Sequence, residues 1–208
     1  MLYKILFRNV MLNNNMKKLH LKKNDGFTLL ETLIAIFIMV VAFTSLLSLM
    51  TTSMFSARYA NNEITATYLA QEAVDYIRND RDTTAFQGAD WTGFLAHYGN
   101  PLSTPGTICY DLSGGCALDV TDPTYSTIIS CPSSCSNFHY EANPTSGGYY
   151  INTPSSTSVP TKFKRTVRME TQGVVNPDDE VLITVTVEWH NGLKPRSQTL
   201  KASLLKWQ

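Results

Sequence analysis

Hydrophobic and polar positions divide this chain into stretches of different period. From Gly26 to Met50, GFTLLETLIAIFIMVVAFTSLLSLM, apolar residues run almost unbroken, and Glu31 is the single ionisable side chain. A hydrocarbon core of about 30 Å needs roughly 20 apolar residues in a helix, and Phe27 to Met50 supplies that length with neither Pro nor Gly. Beyond Met50 the pattern becomes that of an amphipathic helix. Ile64, Ala66, Leu69, Ala70, Ala73, Val74 and Ile77 recur at three- and four-residue steps, with Asn61, Asn62, Glu63, Gln71, Glu72 and Asp75 between them. Because no Pro or Gly interrupts Phe27 to Asp80, the pattern predicts one helix of 54 residues. At a rise of about 1.5 Å per residue it would extend about 80 Å, its first half in lipid and its second half pressing an apolar stripe onto a sheet.

Period two appears from Lys162 onward. Phe163, Arg165, Val167 and Met169 share one face of a strand, and Lys164, Thr166, Arg168 and Glu170 share the other. After a loop with Gly173, Pro177, Asp178 and Asp179, residues Ile183, Val185, Val187 and Trp189 alternate with Thr184, Thr186 and Glu188. Asn191-Gly192 and Pro195 then turn the chain into a last strand near Ser197 to Trp207. Three sequential antiparallel strands make a meander that covers the amphipathic helix half. Arg165 falls on the inward face, where it pairs with a carboxylate, snorkels, or sits under partial cover.

The segments between are weaker in signal. Residues 81 to 106 read as a connector holding a short helix, capped by Asp90 and weakened by Gly93. Its Trp91, Phe94, Leu95 and Tyr98 fall on one side and cover the edge of the core; a partner-binding aromatic patch is the competing reading. Thr107 to Pro160 is rich in Ser, Thr, Gly, Pro and Tyr, with strand-like pieces at Thr107 to Tyr110, Ala117 to Val120 and Tyr125 to Ile129. The fold class that results is α+β: a long N-terminal helix, half transmembrane and half amphipathic, packed on a C-terminal antiparallel sheet.

All four cysteines lie in that loop-rich middle. Cys109 and Cys116 flank a turn containing Gly114 and Gly115, and Cys131 and Cys135 enclose Pro132, Ser133 and Ser134. Outside a membrane such cysteines are read first as disulfides. Of the three pairings open to them, Cys109 with Cys116 and Cys131 with Cys135 is favoured, because each pair closes a short loop with turn residues inside. Zinc is the alternative, though neither spacing is the paired Cys-x2-Cys of a zinc ribbon.

The formal charge of zero conceals an asymmetry. Residues 1 to 26 hold Lys4, Arg8, Lys17, Lys18, Lys22 and Lys23 against Asp25, so the remainder keeps 11 basic and 16 acidic residues, a balance of −5. A nucleic-acid-binding body is not indicated by that balance. The lysines instead mark the cytoplasmic side of the span and put the C-terminal body outside. Met1 to Val10 is too short to span a membrane and is set aside with the rest of the first fifteen residues; Met11 and Met16 are alternative starts, and MKKLHLKKNDG would make an 11-residue basic leader. An ordinary secretory signal has an apolar core of only about 7–15 residues, shorter than this run.

A glycine followed by FTLLE and an apolar run, with lysines before it, resembles the class III signal of type IV pilins and pseudopilins. That resemblance implies cleavage by a prepilin peptidase between Gly26 and Phe27, N-methylation of Phe27, and use of Glu31 in filament assembly. It divides the chain into a leader, 1–26; a transmembrane helix, 27–50; its amphipathic continuation, 51–80; and an extracytoplasmic body, 81–208, with an insert at 107–160 and a meander at 162–207. Implied partners are the peptidase, other pilin or pseudopilin subunits, the inner-membrane assembly platform and membrane lipid. The implied location is the cytoplasmic membrane as a single pass, then a cell-surface or periplasmic filament.

Major pilins usually break this helix with Gly and Pro where the present chain has Val40 and Ser48. The LLETLIAI and YLAQEAVDYIRNDRD wordings are more similar to minor pilins of the pilus-modification kind and to minor pseudopilins of type II secretion. The implied role is a minor structural subunit that primes assembly or sits near the tip. The alternative is a binding module, an adhesin or a receptor for DNA or secreted substrate, mounted on a pilin helix. Asp178, Asp179 and Glu180 resemble the calcium loops of some pseudopilins, against the reading of a solvated turn. No enzyme signature accompanies His97, His139 or His190, and no cofactor motif is recognised. Thr28-x-x-Glu31 also fits a capping box, which would account for the acid by local structure alone.

Overall fold

A computed structural model describes residues 28–99, 108–110, 114–122, 128–143, 147–172, 179–192 and 194–206. The described residues form two α-helices and eight strands, an α+β architecture. The chain divides into two units, residues 1–51 and 52–208.

Helix α1 runs Leu29–Phe86 without a break, across both Val40 and Ser48. It passes the expected stop at Asp80 by six residues. The physical reason is that Asp80 does not face water there. It is 1% exposed, and its carboxylate accepts from Thr84 Oγ1 at 3.3 Å and lies 3.1 Å from His97 Nδ1. The helix ends instead at Gly88, whose φ of +78° suits a residue without Cβ, with Gly88 N donating to Ala85 O at 3.0 Å. Helix α2, Trp91–His97, begins on Asp90, which accepts from Gly93 N at 2.9 Å and Thr92 Oγ1 at 2.7 Å; these donors hold its carboxyl below the usual range. Trp91, Phe94, Leu95 and Tyr98 are all buried, as expected of residues covering the core edge.

Within the second unit the buried face of α1 is Ala66, Leu69, Ala70, Ala73, Val74 and Ile77. Ile64, placed in this stripe by its spacing, is 54% exposed. Two residues before Ala66 it lies about 200° around the helix, on the other side.

The main sheet has the order β2-β1-β6-β7-β8, with β1 Cys116–Ala117, β2 Ile129–Ser130, β6 Lys164–Gln172, β7 Glu180–Asn191 and β8 Lys194–Leu205. The C-terminal meander is present as β6-β7-β8, with Arg165 opposite Val187, Val167 opposite Val185 and Met169 opposite Ile183. Asn191 pairs with Lys194, so the turn sits one residue later than expected from Asn191-Gly192. Pro195 belongs to the last strand and not to the turn. As β8 is an edge strand, a proline there removes no ladder donor from the sheet interior.

The middle differs most from expectation. Of the expected strand at Thr107 to Tyr110, Thr107 lies outside the described residues and Ile108–Tyr110 forms a 3-10 turn, with Cys109 N donating to Tyr98 O at 3.1 Å. Ala117 to Val120 contributes only the end of the two-residue β1, and most of Tyr125 to Ile129 lies outside the described residues. A second sheet, ordered β4-β3-β5, consists of β3 His139–Asn143, β4 Gly147–Ile151 and β5 Val159–Pro160. A Cβ on Gly148 would overlap the Tyr140 ring, so that ring covers the glycine across the hairpin. Ser155 and Thr157 donate to Glu141 and hold its carboxyl below the usual range. Cys109 is bridged to Cys116, and Cys131 to Cys135.

Arg165 takes the first of its three options most fully. It is 1% exposed, donates from Nη1 to Leu69 O at 2.8 Å and Glu72 Oε2 at 3.0 Å, and donates from Nη2 to Leu118 O at 2.9 Å. Its guanidinium carbon lies 4.8 Å from the Phe138 ring centroid. Removing one partner of a buried charge network typically costs about 3–5 kcal/mol, so Arg165→Ala should lower stability by about 3 kcal/mol or more. Glu72 is 44% exposed, and Glu72→Gln should cost below about 1 kcal/mol. Urea unfolding of the detergent-solubilised chain, followed by near-ultraviolet circular dichroism, measures both; equal midpoints for Arg165→Ala and the parent would refute this role. For the bridges, intact mass should lie about 4 Da below that of the fully reduced chain, and alkylation before reduction should add nothing.

Candidate functional site

The first turn of α1 is where sequence and geometry converge. Thr28 precedes the helix, and its carbonyl accepts from Glu31 N at 3.0 Å and Thr32 N at 3.2 Å. Thr28 Oγ1 lies 3.3 Å from Glu31 N and accepts from it, satisfying one amide that the helix start leaves orphaned. This is one half of the expected capping box. Glu31 is therefore in the first turn, where a carboxylate also meets the positive end of the helix dipole.

Downstream, the surface is apolar on all sides. Leu30, Leu33, Ile34, Phe37, Val41 and Leu47 are each about half exposed or more, as are their neighbours through Phe55. The helix is long and apolar enough to cross a membrane by length and composition. Its hydroxyls do not spoil that surface, because they fold back onto the helix. Thr32 Oγ1 donates to Leu29 O at 2.9 Å, Thr44 Oγ1 to Val41 O at 2.9 Å, Ser45 Oγ to Ala42 O at 2.8 Å and Thr51 Oγ1 to Ser48 O at 2.9 Å. Among the described residues the Glu31 carboxylate has no hydrogen-bond or ion-pair partner. The sequence reading did not single out these hydroxyls; isolated Ser and Thr within an apolar run were the available signal.

The other expected sites are distributed as follows. Gly26 and Phe27 lie outside the described residues. The four cysteines serve as two bridges in the second unit. Of the three successive acids, Asp178 lies outside the described residues, Asp179 Oδ1 is 3.8 Å from Lys206 Nζ, and Glu180 accepts from Ser203 across the β7-β8 ladder. Among the described residues no group of three or more His, Cys, Asp or Glu side chains converges to hold a metal ion.

Residues 21–47 match the family model described as the prokaryotic N-terminal methylation motif. Comparison with curated proteins and with solved structures returns no match. The motif spans Gly26, Phe27 and Glu31 and implies processing by a prepilin peptidase and assembly with other pilins. Together with the apolar helix it fits a single-pass, membrane-anchored pilin. The motif covers 27 of the chain's 208 residues, and together with the long N-terminal helix and C-terminal antiparallel sheets it supports a type IV pilin-like protein.

Proposed function

We propose that this chain is a minor, non-enzymatic subunit of a type IV pilus or pseudopilus. In this reading it is inserted with its lysines inside and its C-terminal body outside, trimmed after Gly26, methylated on Phe27, and drawn into a filament that it primes or tips. The observation that carries the reading is the Glu31 carboxylate at the head of an otherwise apolar helix, without a hydrogen-bond or ion-pair partner among the described residues. Insertion scales give roughly 2.5–3.5 kcal/mol for a charge at the helix centre; Glu31, in the first turn, bears part of that, and the cap formed by Thr28 engages its amide and not its carboxylate. The cap leaves that cost unmatched. A cationic terminal amine on Phe27 of an adjacent subunit would neutralise the acid and fix the axial register. The unbroken course of α1 through Val40 and Ser48 supports a minor rather than a bulk subunit.

Two substitutions test separate steps. A peptidase that grips the residue before the scissile bond in an extended site has no room for a branched side chain. Gly26→Val should therefore leave the chain in the membrane at its unprocessed mass; normal cleavage at Phe27 would remove the processing motif from the account. Glu31→Gln keeps the third helical position of a capping box but loses the charge. Cleavage and insertion should survive it, while recovery in sheared filaments falls about tenfold or more, the loss of roughly 1.4 kcal/mol of subunit pairing. Undiminished incorporation would return Glu31 to a cap.

A further inference from the structure

Within the second unit, α1, the approach to β6, the end of β7 and the start of β8 enclose a cleft of about 460 Å³, large enough for a small-molecule ligand. Its walls carry three cations, Lys162, Lys164 and Arg196, against two acids, Glu63 and Glu188. Lys164 is committed, 2.6 Å from Glu188 Oε2 and 3.0 Å from Ser134 Oγ. Arg196 and Lys162 are not. Arg196 lies over the Tyr59 ring at 5.2 Å and Lys162 near the Phe163 ring at 5.5 Å, and among the described residues neither has an ion-pair partner. Against these two cations stands one further acid, Glu63, a turn along α1 from Tyr59, so the uncommitted charge is positive before His190 is counted. The rest of the chain beyond the basic leader is acidic by five charges, which makes a locally positive cleft a departure from its surroundings. Trp189 lines the same cleft, is 2% exposed, and has an indole N–H without an acceptor among the described residues. Other buried donors, Trp91 Nε1 and Arg165 Nε among them, share that state, so Trp189 counts here as one more donor-bearing residue of the lining.

We infer that this cleft binds a phosphate ester, with Arg196 and Lys162 as its cationic partners. The donors come from separate segments: Asn137 before β3, Lys162 before β6, Trp189 on β7, and Arg196 and Ser197 on β8. Donor-bearing residues on several segments, two of them uncommitted cations, suit a group with several acceptor oxygens better than a flat carboxylate, which is met best in its own plane. Arg supplies a fork to two of the oxygens and Lys a point charge to a third. The group can arrive as a phospholipid headgroup or as a soluble phosphate ester.

The full chain in detergent would be titrated with glycerol 1-phosphate by phosphorus NMR. In parallel, it would be reconstituted in nanodiscs of phosphatidylcholine with and without phosphatidylglycerol and released for native mass spectrometry. Saturable binding of the soluble ester, or selective retention of phosphatidylglycerol, is the expected result, and which arm responds identifies the source. Arg196→Gln and Lys162→Gln should each weaken it about tenfold or more, while Lys201→Gln, outside the cleft on the same strand, should not. Near-ultraviolet circular dichroism would verify that each variant is folded. The inference is overturned if neither arm binds, or if binding in both cleft variants equals that of the parent.

Discussion

The globular unit depends on one buried cation. Arg165 belongs to β6, yet its hydrogen bonds end on α1 at Leu69 and Glu72 and on the segment after β1 at Leu118, with Phe138 beneath the guanidinium. Helix, sheet and loop region therefore meet at a single planar group. Burial pushes the Arg165 guanidinium below its ordinary pKa, and Glu72, with Asp119 behind it, pushes back. Its Nη1 and Nη2 donors are met while Nε has no acceptor among the described residues, so the charge rests on those three bonds and the helix cannot shift along the sheet without breaking them. Asp119 strengthens the same corner by accepting from Thr121 N at 3.0 Å and Asn152 N at 3.1 Å, which ties the loop after β4 to the loop after β1.

One helix carries two kinds of surface, and its side chains change between them. Among Leu29 to Thr51, exposed apolar groups and self-satisfied hydroxyls would leave an apolar solvent nothing polar to desolvate except Glu31. From Asn62 onward, a stripe dominated by small residues, Ala66, Ala70 and Ala73, shares one buried cluster with Val181, Ile183, Val185 and Val187 of the sheet. Leu69 on that stripe offers its carbonyl to the long Arg165 side chain, which donates to it at 2.8 Å. The helix face and the buried arginine are thus one solution.

Much of this was legible because period and length are strong signals. The span, the amphipathic stripe and the three meander strands follow from spacing alone, and the first-turn motif follows from a handful of residues. What failed did so for local reasons. Ile64 matched a list of apolar residues but not the angle they subtend, and Asp80 looked like a helix end because its partner, His97, is seventeen positions away. The β3-β4 hairpin carries Gly147 and Gly148 where a strand former would be expected, and only the Tyr140 ring across the ladder explains why that works. Arg165 was visible as an inward cation, but the choice among its roles needed Leu69 and Leu118, 96 and 47 positions distant.

The bridges act at a different scale from the arginine. With sequence separations of 7 and 4, the two disulfides close loops whose entropy in the unfolded chain is already small, about 2–2.5 kcal/mol each by the chain-entropy relation. They pin local shape where strands of two residues cannot hold themselves: Cys116 is half of β1, and Cys131 follows β2, which pairs with it. Gly114 and Gly115 complete that corner. A Cβ on Gly114 would collide with the Cys131 carbonyl, and one on Gly115 with that of Val167, while Cys131 N donates to Gly115 O at 2.9 Å. Short bridges and close glycines thus build a compact margin on the β6 side of the sheet, but neither bridge joins that margin to α1. That long-range connection falls to Arg165, whose contacts span most of the second unit in sequence while meeting at one point in space.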